Sequence, residues 1–531
     1  MCGEGRGRDF DKGVRTVLNF EMLLAIFVVL YFAGMLLIGF WSARKVKSEF
    51  DYLTASQSIG GWVGGASLAA TQMSAGTFIG LIGIHYMTGA SWVWIWPGLW
   101  MGYLVTVLFV APRMRSFATR AGGMTVPDFV AMRYNSAVVR GIAAILIVIT
   151  YTIMMSAQYQ GGSVMLEAIL GMPVWVGTLL MLVVTVSYSI LGGMRATAYT
   201  DFIQQVVMLV GLVIGVPLLI SQAGGWSYLT SVWPTIIQPP YTSSMYTGWH
   251  YGMATAGGTS IAFLFTFAAA PYEMNRYYSM RDNKTVRFAA IVALLFQIPI
   301  GFAGAIVGMT LRTMFPNLIV PDATSTIFAS SVMPPLVGVL VVLAVLAAIM
   351  STVASIMIVT GSALAHDVYG KLINPQASAE TKLKLNRWAV LVLGILPMAM
   401  AVQRLDFVQF VVVAQAAIFG SFFFVPVVVG MIWKRANTAG AIASMLGGFI
   451  VSAGLYATGN ASLFWHPVYP GFVVSLVLMV VFTYLGKPVP EANLAVFFRD
   501  IRMKMKAEGR YVDPKVLLGE TAAKPSAAGG K

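Results

Sequence analysis

Residues 67–80 read Ser-Leu-Ala-Ala-Thr-Gln-Met-Ser-Ala-Gly-Thr-Phe-Ile-Gly, a polar and flexible run inside an otherwise apolar segment near 59–86. Thr71, Gln72, Ser74, Gly76 and Thr77 are predicted to lie in the middle of that segment. Such density indicates a locally unwound helix whose free carbonyl groups line a polar cavity. Close helix packing through small residues is the alternative. We favour packing for 61–66 and a binding role for 70–77.

The rest of the chain is equally apolar. Of its 531 residues, 58% are hydrophobic and only 10% are charged, and the mean hydropathy is +0.79. No soluble domain could bury so much apolar side chain, and the continuous apolar runs differ from the alternating segments of a β-barrel. We predict an all-α polytopic membrane protein. This class excludes soluble enzymes and nucleic-acid-binding modules, and no catalytic residues are expected.

Apolar runs of about 20 residues, the length that crosses a bilayer, mark the predicted spans. Thirteen such runs lie near 20–42, 59–86, 90–111, 138–160, 173–191, 201–221, 251–275, 288–310, 334–365, 388–403, 407–432, 439–459 and 467–486. The chain therefore divides into an N-terminal segment 1–19, a transmembrane domain 20–486 and a basic tail 487–531. The tail is predicted to form a short amphipathic helix around 491–506 and a disordered end.

Lysine and arginine residues indicate the orientation, because they accumulate in cytoplasmic loops. With the C-terminus inside, 28 of the 34 basic residues lie on the inner side. The first span taken alone favours the opposite orientation, because four basic residues precede it and three follow it. We follow the whole-chain count. It predicts an extracytoplasmic N-terminus and a cytoplasmic C-terminus in the cell (plasma) membrane.

Two further spans carry polar groups at places that suggest ion binding. Ser351 and Thr352 lie one turn from Ala348 in the ninth span, where hydroxyl and carbonyl oxygens could hold a hard monovalent cation. Such hydroxyls also commonly bond the preceding turn of their own helix. Asp201 begins the sixth span, either as an intramembrane functional carboxylate or as part of the first helical turn. Both alternatives stay open for each site.

The seventh span has its own interruptions, at Thr255–Ser260 and at Pro271, which frees a backbone carbonyl within the span. Glu273 and Arg276 follow, three residues apart, and could pair at the inner surface. The second and seventh spans are five apart. That separation is expected if two inverted five-helix halves each open with a broken helix.

Other chemistries leave no trace in the sequence. A Gly-rich phosphate loop with Lys-Ser/Thr is missing, so ATP-driven transport is not expected. The single cysteine, Cys2, excludes an internal disulfide framework and a multi-thiolate metal site within one chain.

Taken together, several stretches resemble the sodium:solute symporter family. They are Asp51-Tyr-Leu with Ser58-Ile-Gly-Gly-Trp62, the runs at 70–74 and 192–204, the run at 347–352 with His366-Asp-Val-Tyr369, and the run at 433–441. The resemblance covers roughly 20–486. It implies a thirteen-helix chain whose spans two to eleven form the leucine-transporter-like 5+5 inverted repeat.

The resemblance also implies sodium sites. The shared site would join the second and ninth spans through the carbonyls of Ala70, Met73 and Ala348 and the hydroxyls of Ser351 and Thr352. Some members bind a second sodium ion near positions matching Asp201 and Ser355. Here the neighbour of Ser355 is Ala354, so the second ion is an open question.

Solute contacts are expected at Gln72, Ser74 and Thr77, with Phe267 and Tyr272 as gates. Proline transporters carry an aspartate where this chain has Gln72. Sugar transporters carry a polar motif in the seventh span that this chain lacks. Resemblance to the sodium/pantothenate branch rests on Pro271, Val320-Pro-Asp322, Val332-Met-Pro-Pro335 and His466-Pro467.

The resemblance thus implies a sodium-coupled symporter that takes up pantothenate or another organic or amino acid by alternating access. Its expected partners are Na⁺, the small organic solute and the lipid bilayer, with no nucleic acid and with a monomer as the default. A proton-coupled symporter of the same fold, a membrane solute sensor and an uncoupled channel or facilitator are the alternatives.

Overall fold

The computed structural model describes residues 20–237, 257–403 and 407–517. Helices of the first half are α1 Phe20–Ala43, α2 Glu49–Thr54, α3 Gly61–Gln72, α4 Leu81–Thr88, α5 Ile95–Val105, α6 Ala111–Ala121, α7 Val126–Tyr134, α8 Ala137–Leu170, α9 Val174–Gln222 and α10 Trp226–Ile236. Those of the second half are α11 Gly257–Ala269, α12 Pro271–Ser279, α13 Asn283–Met314, α14 Thr324–Ile327, α15 Pro335–Ser362, α16 Ala379–Val402, α17 Val408–Phe424, α18 Gly430–Ile432, α19 Thr438–Ala457, α20 Val468–Leu485, α21 Glu491–Phe497, α22 Arg499–Ala507 and α23 Pro514–Leu517.

Several helices continue through turns of different width. Wider π-helical turns cover Gly76–Gly80, Thr106–Val110, Phe328–Val332, Ala363–Ile373 and Val425–Val429, and tighter 3₁₀ turns cover Ala55–Gln57, Ala90–Trp94 and Pro321–Ala323. In the described part of the chain, extended backbone pairs as an isolated bridge between Ile59 and Met280. The molecule is therefore nearly all helical, as predicted.

Ten helical segments of the described chain are long and apolar enough to cross a bilayer, or eleven if α3 and Gly76–Thr88 count as one bent span. The fifth and sixth predicted spans are merged in the 49-residue α9, which Gly193 breaks with φ 53° and ψ −143°. A helix of that length measures about 74 Å, more than twice the hydrocarbon core. The seventh predicted span begins outside the described residues, so the count of thirteen stays a prediction.

Both predicted broken helices are present. The axis bends by 59° between α3 and Gly76–Thr88, and Met73 leaves the helix with φ −74° and ψ 117°. The seventh span breaks at Ala270, with φ −63° and ψ 123°, and α12 then starts at Pro271. The other predicted interruption is wrong where it is described, since residues 257–260 are helical and belong to α11. Residues 255–256 lie outside the described chain.

The small residues at 61–66 serve close packing, as favoured from the sequence. A Cβ atom added to Gly65 would lie 2.5 Å from the carbonyl oxygen of Ala289 and 2.6 Å from Cβ of Val292. Both neighbours belong to α13, which runs along α3. Any side chain at Gly65 would force the two helices apart.

The centre of the molecule is α15. Nearly every residue from 338 to 362 is buried, and the helix packs against α9, α8, α16 and α3. A helix surrounded by protein rather than lipid can carry hydroxyl groups in the membrane interior. Ser351 and Thr352 therefore face neighbouring helices.

A charged cluster joins α2, α7, α8 and the extension of α15 on the predicted cytoplasmic face. His366 bonds Oε1 of Glu49 through Nδ1 at 3.1 Å and Oδ2 of Asp128 through Nε2 at 3.0 Å. Arg140 contacts both Asp128 and Asp367. Burial alone would raise the pKa of Asp128, but the charges of His366 and Arg140 outweigh it and hold that pKa well below its usual range.

The C-terminal helices pack on the same face. The amphipathic helix predicted around 491–506 is two helices, α21 and α22, separated by Phe498 in an extended conformation. Asn493 Nδ2 donates to the carbonyl of Met132 at 2.9 Å. The ring of Phe497 packs against those of Phe117 and Phe129, with centroid distances of 5.8 and 5.0 Å.

Candidate functional site

The break after α3 leaves backbone carbonyls without helical partners. The carbonyl of Ala70 accepts a hydrogen bond from the Ser351 hydroxyl at 2.8 Å. Thr352 Oγ1 lies 3.0 Å from the carbonyls of both Thr71 and Met73. The two hydroxyls of α15 thus donate hydrogen bonds to the freed carbonyls of the second span.

All five residues of the predicted sodium site lie together. Besides these cross-helix contacts, the Ala348 carbonyl lies 3.0 Å from Ser351 Oγ and 3.1 Å from Thr352 Oγ1. The hydroxyls therefore bond the preceding turn of their own helix as well, as the alternative interpretation expected. Three carbonyl and two hydroxyl oxygens form a neutral, buried set. Hard oxygen donors without net charge suit a monovalent hard cation such as Na⁺.

The helix that resumes after the break is capped by side chains. The backbone N–H of Ala75 donates to Oε1 of Gln158 at 2.7 Å, and that of Gly76 donates to the Ser74 hydroxyl at 3.1 Å. These bonds satisfy donors that a helix N-terminus leaves free. The bond to Gln158 also ties the unwound stretch to α8.

Asp201 lies two turns inside its helical segment. The first-turn alternative for this residue is wrong, because the helix resumes at Met194 directly after the break at Gly193. Oδ2 of Asp201 accepts from the Ser67 hydroxyl at 2.6 Å and from Nη2 of Arg276 at 2.7 Å. The same nitrogen contacts the hydroxyl of Ser355. Asp201 and Ser355, the possible second sodium site, are thus joined by a guanidinium group.

The pairing of Glu273 with Arg276 predicted from their spacing is wrong. Arg276 binds Asp201 on α9, and its Nη1 donates to the carbonyl of Tyr272 at 2.7 Å. Glu273 instead accepts a hydrogen bond from Gln72 on α3 at 2.8 Å. Because α12 lies against both α3 and α9, its two charged side chains reach different helices. Both are buried rather than at the surface.

A cavity lies beside the unwound stretch, between α3, α5, α11, α12 and α17. It is lined by all five residues predicted to contact or gate the solute: Gln72, Ser74, Thr77, Phe267 and Tyr272. The Phe267 ring stacks on Phe263 at 5.7 Å. The Tyr272 ring lies 5.5 Å from that of Tyr151. Each of the two predicted gates, Phe267 and Tyr272, thus packs against another aromatic ring.

Polar lining residues of α17 and α5 were missed from the sequence. Gln409, Gln415 and Trp96 line the cavity. Oε1 of Gln409, Nε2 of Gln415 and Nε1 of Trp96 are buried and have no hydrogen-bond partner among the described residues. The sequence signal that could have indicated the two glutamines is their position as isolated polar residues in the apolar run 407–432. The described residues that line the cavity include none with a charged side chain.

Broken helices, an oxygen-lined site and an adjoining cavity are matched by known proteins. The model of the family described as "Sodium:solute symporter family" matches residues 52–448, about three quarters of the chain. The chain belongs to this family. Sodium-coupled transport of a solute across a membrane is therefore the activity class of this symporter.

Its relatives include sodium/proline symporters of Staphylococcus aureus strains JH9 and NCTC 8325. Each is 29% identical over 485 residues, which cover 87% of the symporter and 92% of the relative. Both relatives are named for proline rather than pantothenate, so the pantothenate branch stays a prediction.

Solved structures share the fold. A Na⁺-coupled sialic acid symporter in a substrate-bound outward-open state aligns with a TM-score of 0.73 at 20% identity, covering 89% of the symporter and 100% of that chain. Mhp1, a nucleobase-cation-symport-1 family transporter, aligns with a TM-score of 0.56 at 13% identity. The alignment covers 88% of the symporter and 97% of Mhp1. These likenesses confirm the predicted leucine-transporter-like architecture.

Proposed function

We propose that this symporter takes up a neutral or zwitterionic organic solute of amino-acid size together with one sodium ion. The observation that carries the proposal is the direct contact between the five-oxygen site and the cavity. Met73 contributes a carbonyl to the site, while its neighbours Gln72 and Ser74 line the cavity. An ion bound to residues 70–73 would therefore fix one wall of the solute site.

The lining of the cavity favours this solute class over pantothenate. Unpartnered donors on Gln415 and Trp96 and an unpartnered acceptor on Gln409 could bind a carboxylate and an amino group respectively. A net anion would need a positive partner in the membrane interior. Arg276, the buried cation nearest the break, is already bound to Asp201. The names of the sodium/proline symporter relatives agree with an amino acid.

Coupling would follow from the position of the ion between two helix groups. Ala70 and Met73 belong to the unwound stretch, whereas Ala348, Ser351 and Thr352 belong to the central α15. Sodium binding would hold these groups together and complete the cavity, and sodium release would let them separate. Movement of Phe267 and Tyr272 would then admit or release the solute.

One sodium ion per solute is favoured by the guanidinium between Asp201 and Ser355. Nη2 of Arg276 contacts both residues, so a positive charge of the protein itself lies where the second ion would bind. One inward sodium gains about 2.3 kcal/mol at 100 mV, and a tenfold gradient adds about 1.4 kcal/mol. This sum of about 3.7 kcal/mol sustains roughly 500-fold accumulation of a neutral solute.

The direction of transport rests on the orientation. The excess of basic residues, 28 of 34 on one side, supports an extracytoplasmic N-terminus and a cytoplasmic C-terminus. An inward sodium gradient then drives uptake into the cell. A monomer suffices for this function, because the site and the cavity are built from one chain.

The test is uptake into proteoliposomes that contain the full chain. Labelled L-proline, pantothenate, a short monocarboxylate and a sugar are offered with an inward gradient of sodium or of choline at fixed pH. Sodium-dependent accumulation of proline or another zwitterion is expected. Accumulation of pantothenate alone would contradict the solute class, and equal uptake in choline would contradict sodium coupling.

A further inference from the structure

Glu273 is a buried carboxyl group that sodium binding does not explain. It lies on α12, three residues after the break at Ala270, and its side chain is only 1% exposed. Oε1 accepts a hydrogen bond from Nε2 of Gln72 at 2.8 Å. Oε2 is buried and has no hydrogen-bond partner among the described residues. Half of this carboxyl group is therefore unsatisfied.

Gln72 connects Glu273 to the solute cavity. Its Oε1 accepts from Nε2 of Gln297 at 2.7 Å, and the same Nε2 lies 2.7 Å from the hydroxyl of Tyr103. Gln72 also lines the cavity, whereas Glu273 does not. The amide thus stands between the carboxyl group and the solute. A change in the charge of Glu273 would be felt by the solute through Gln72.

The surroundings of Glu273 disfavour a negative charge there. The ionisable groups that face it are Arg276, Asp201 and the phenols of Tyr103, Tyr151, Tyr272 and Tyr277. Among these, Arg276 carries the positive charge, and it is bound to Asp201. An ionised Glu273 would hold one amide hydrogen bond and no cation, at a cost of several kcal/mol. A bound proton removes that charge.

We propose that Glu273 is a proton-binding site of the transport cycle. The proton sits on the carboxyl group in this conformation and is returned to water when α12 moves. No other bond is made or broken, because water supplies the proton on one side of the membrane and accepts it on the other. The inference rests on the proposed symport, which would then carry a proton alongside sodium and solute.

The position of α12 gives the proton a route. The helix starts at the break at Ala270, so it can tilt independently of α11. Its far end lies at the predicted cytoplasmic face, where the Ser279 carbonyl accepts from the N–H of Ile59 at 3.0 Å. Glu273 lies about 9 Å along the helix from Ser279. A modest tilt of α12 would therefore expose the carboxyl group to water.

The first test needs no solute. Infrared difference spectra of the full-length protein in lipid at about pH 7 report the C=O stretch of protonated carboxylic acids, which an ionised carboxylate lacks. We expect a protonated-acid band that Glu273→Gln removes and Glu380→Gln keeps, since Glu380 is exposed and pairs with Lys384. A band that E273Q leaves intact would overturn the proposal.

The second test measures coupling. In proteoliposomes at fixed sodium gradient, uptake of the solute identified above should fall by up to about tenfold per pH unit on the alkaline side, the limit for one required proton. Glu273→Asp should keep a pH dependence because it keeps the carboxyl group, and E273Q should flatten the profile. Identical profiles for wild type and E273Q would overturn the proton site. Failure of all sodium-driven uptake would instead contradict the symport, and the infrared band would still decide on Glu273.

Discussion

The hydroxyl of Thr352 lies 3.0 Å from the carbonyl oxygen of Met73, 279 residues earlier in the chain. The carbonyl is available because Met73 is extended, with φ −74° and ψ 117°, and so ends α3. In a continuous helix it would accept from a residue four positions later. The contact therefore depends on the break, and it joins the two elements between which the sodium site is proposed.

Removing both hydroxyls of α15 should weaken sodium activation. In Ser351→Ala with Thr352→Ala, two of the five proposed oxygen donors are lost, and each is worth about 1 kcal/mol. The sodium concentration for half-maximal uptake should rise by about tenfold or more. Thr360→Ala is the control, because its hydroxyl bonds Ile356 in the same buried helix. Unchanged sodium dependence in the double variant would show that Ser351 and Thr352 do not bind the sodium ion.

Breaking the ion pair of Asp201 and Arg276 should destabilise the fold. Arg276→Gln leaves a buried carboxylate without its cation, which typically costs about 3–5 kcal/mol. Adding Asp201→Asn removes the stranded charge and should recover part of that loss. Thermal unfolding in detergent measures both variants. Equal melting temperatures for the single and double variants would show that the charge of Asp201 is not held by Arg276.

Two glycines in helices should respond oppositely to alanine. At Gly65 the added methyl group meets Ala289 and Val292 of α13, so Gly65→Ala should destabilise by about 1–3 kcal/mol. At Gly34 nothing lies within 4 Å. Gly34→Ala should therefore be neutral or slightly stabilising. Melting temperatures compare the two, and a harmless G65A would argue against the close approach of α3 and α13.

Replacing the glutamines of α17 should weaken solute binding without changing sodium dependence. Gln409→Leu and Gln415→Leu each remove the side-chain amide, with its unpartnered polar atom, from a residue that lines the cavity. Loss of one hydrogen bond should raise the KM for the solute by about tenfold. Gln403→Leu, at the exposed end of α16, should leave KM as it is. A KM unaffected by both cavity variants would exclude these residues from solute recognition.

The charged cluster on the predicted cytoplasmic face should stabilise the protein in a defined pH range. Because the pKa of Asp128 is lowered in the folded state, its contribution is complete above the unfolded value of about 3.9 and is lost as pH falls through the lower folded value. Asp128→Asn should lower the melting temperature most clearly at about pH 5–6, where Asp128 is ionised and where His366, whose pKa Asp128 raises against the effect of burial, carries a proton. The difference in melting temperature between this variant and wild type should disappear in stronger acid, where Asp128 is protonated.

A control for this pH series is Asp500→Asn, whose partner Lys434 is exposed. Water screens that pair, so the variant should melt close to wild type throughout. A gap for Asp128→Asn that persists unchanged at the lowest pH would mean that packing, rather than charge, accounts for the effect.

The sequence alone was informative where the signal was local. A dense polar run in an apolar segment indicated the break at Met73, and Pro271 indicated the break at Ala270. The five residues expected to contact or gate the solute line one cavity, and their role there stays a prediction. The two helix breaks could be predicted because unwinding within a membrane needs polar and flexible residues at the place where it occurs.

The misses concern contacts between distant residues. Spacing favoured a pair between Glu273 and Arg276, yet the direction in which each side chain points depends on how α12 packs against α3 and α9. Gln409 and Gln415 are single polar residues in an apolar helix. Their sequence does not tell whether they face lipid, protein or a cavity, because the rotation of α17 is set by its neighbours.

The C-terminal helices have a practical meaning for handling the protein. Phe497 covers the rings of Phe117 and Phe129, and Asn493 holds the carbonyl of Met132. The polypeptide beyond the last long membrane helix is thus a clamp on the loop helices α6 and α7. A protein truncated at Leu485 and joined there to a purification tag or fluorescent protein would lack these helices, and the rings of Phe117 and Phe129 would lose their cover. A fusion joined beyond Leu517 would keep the helices in place.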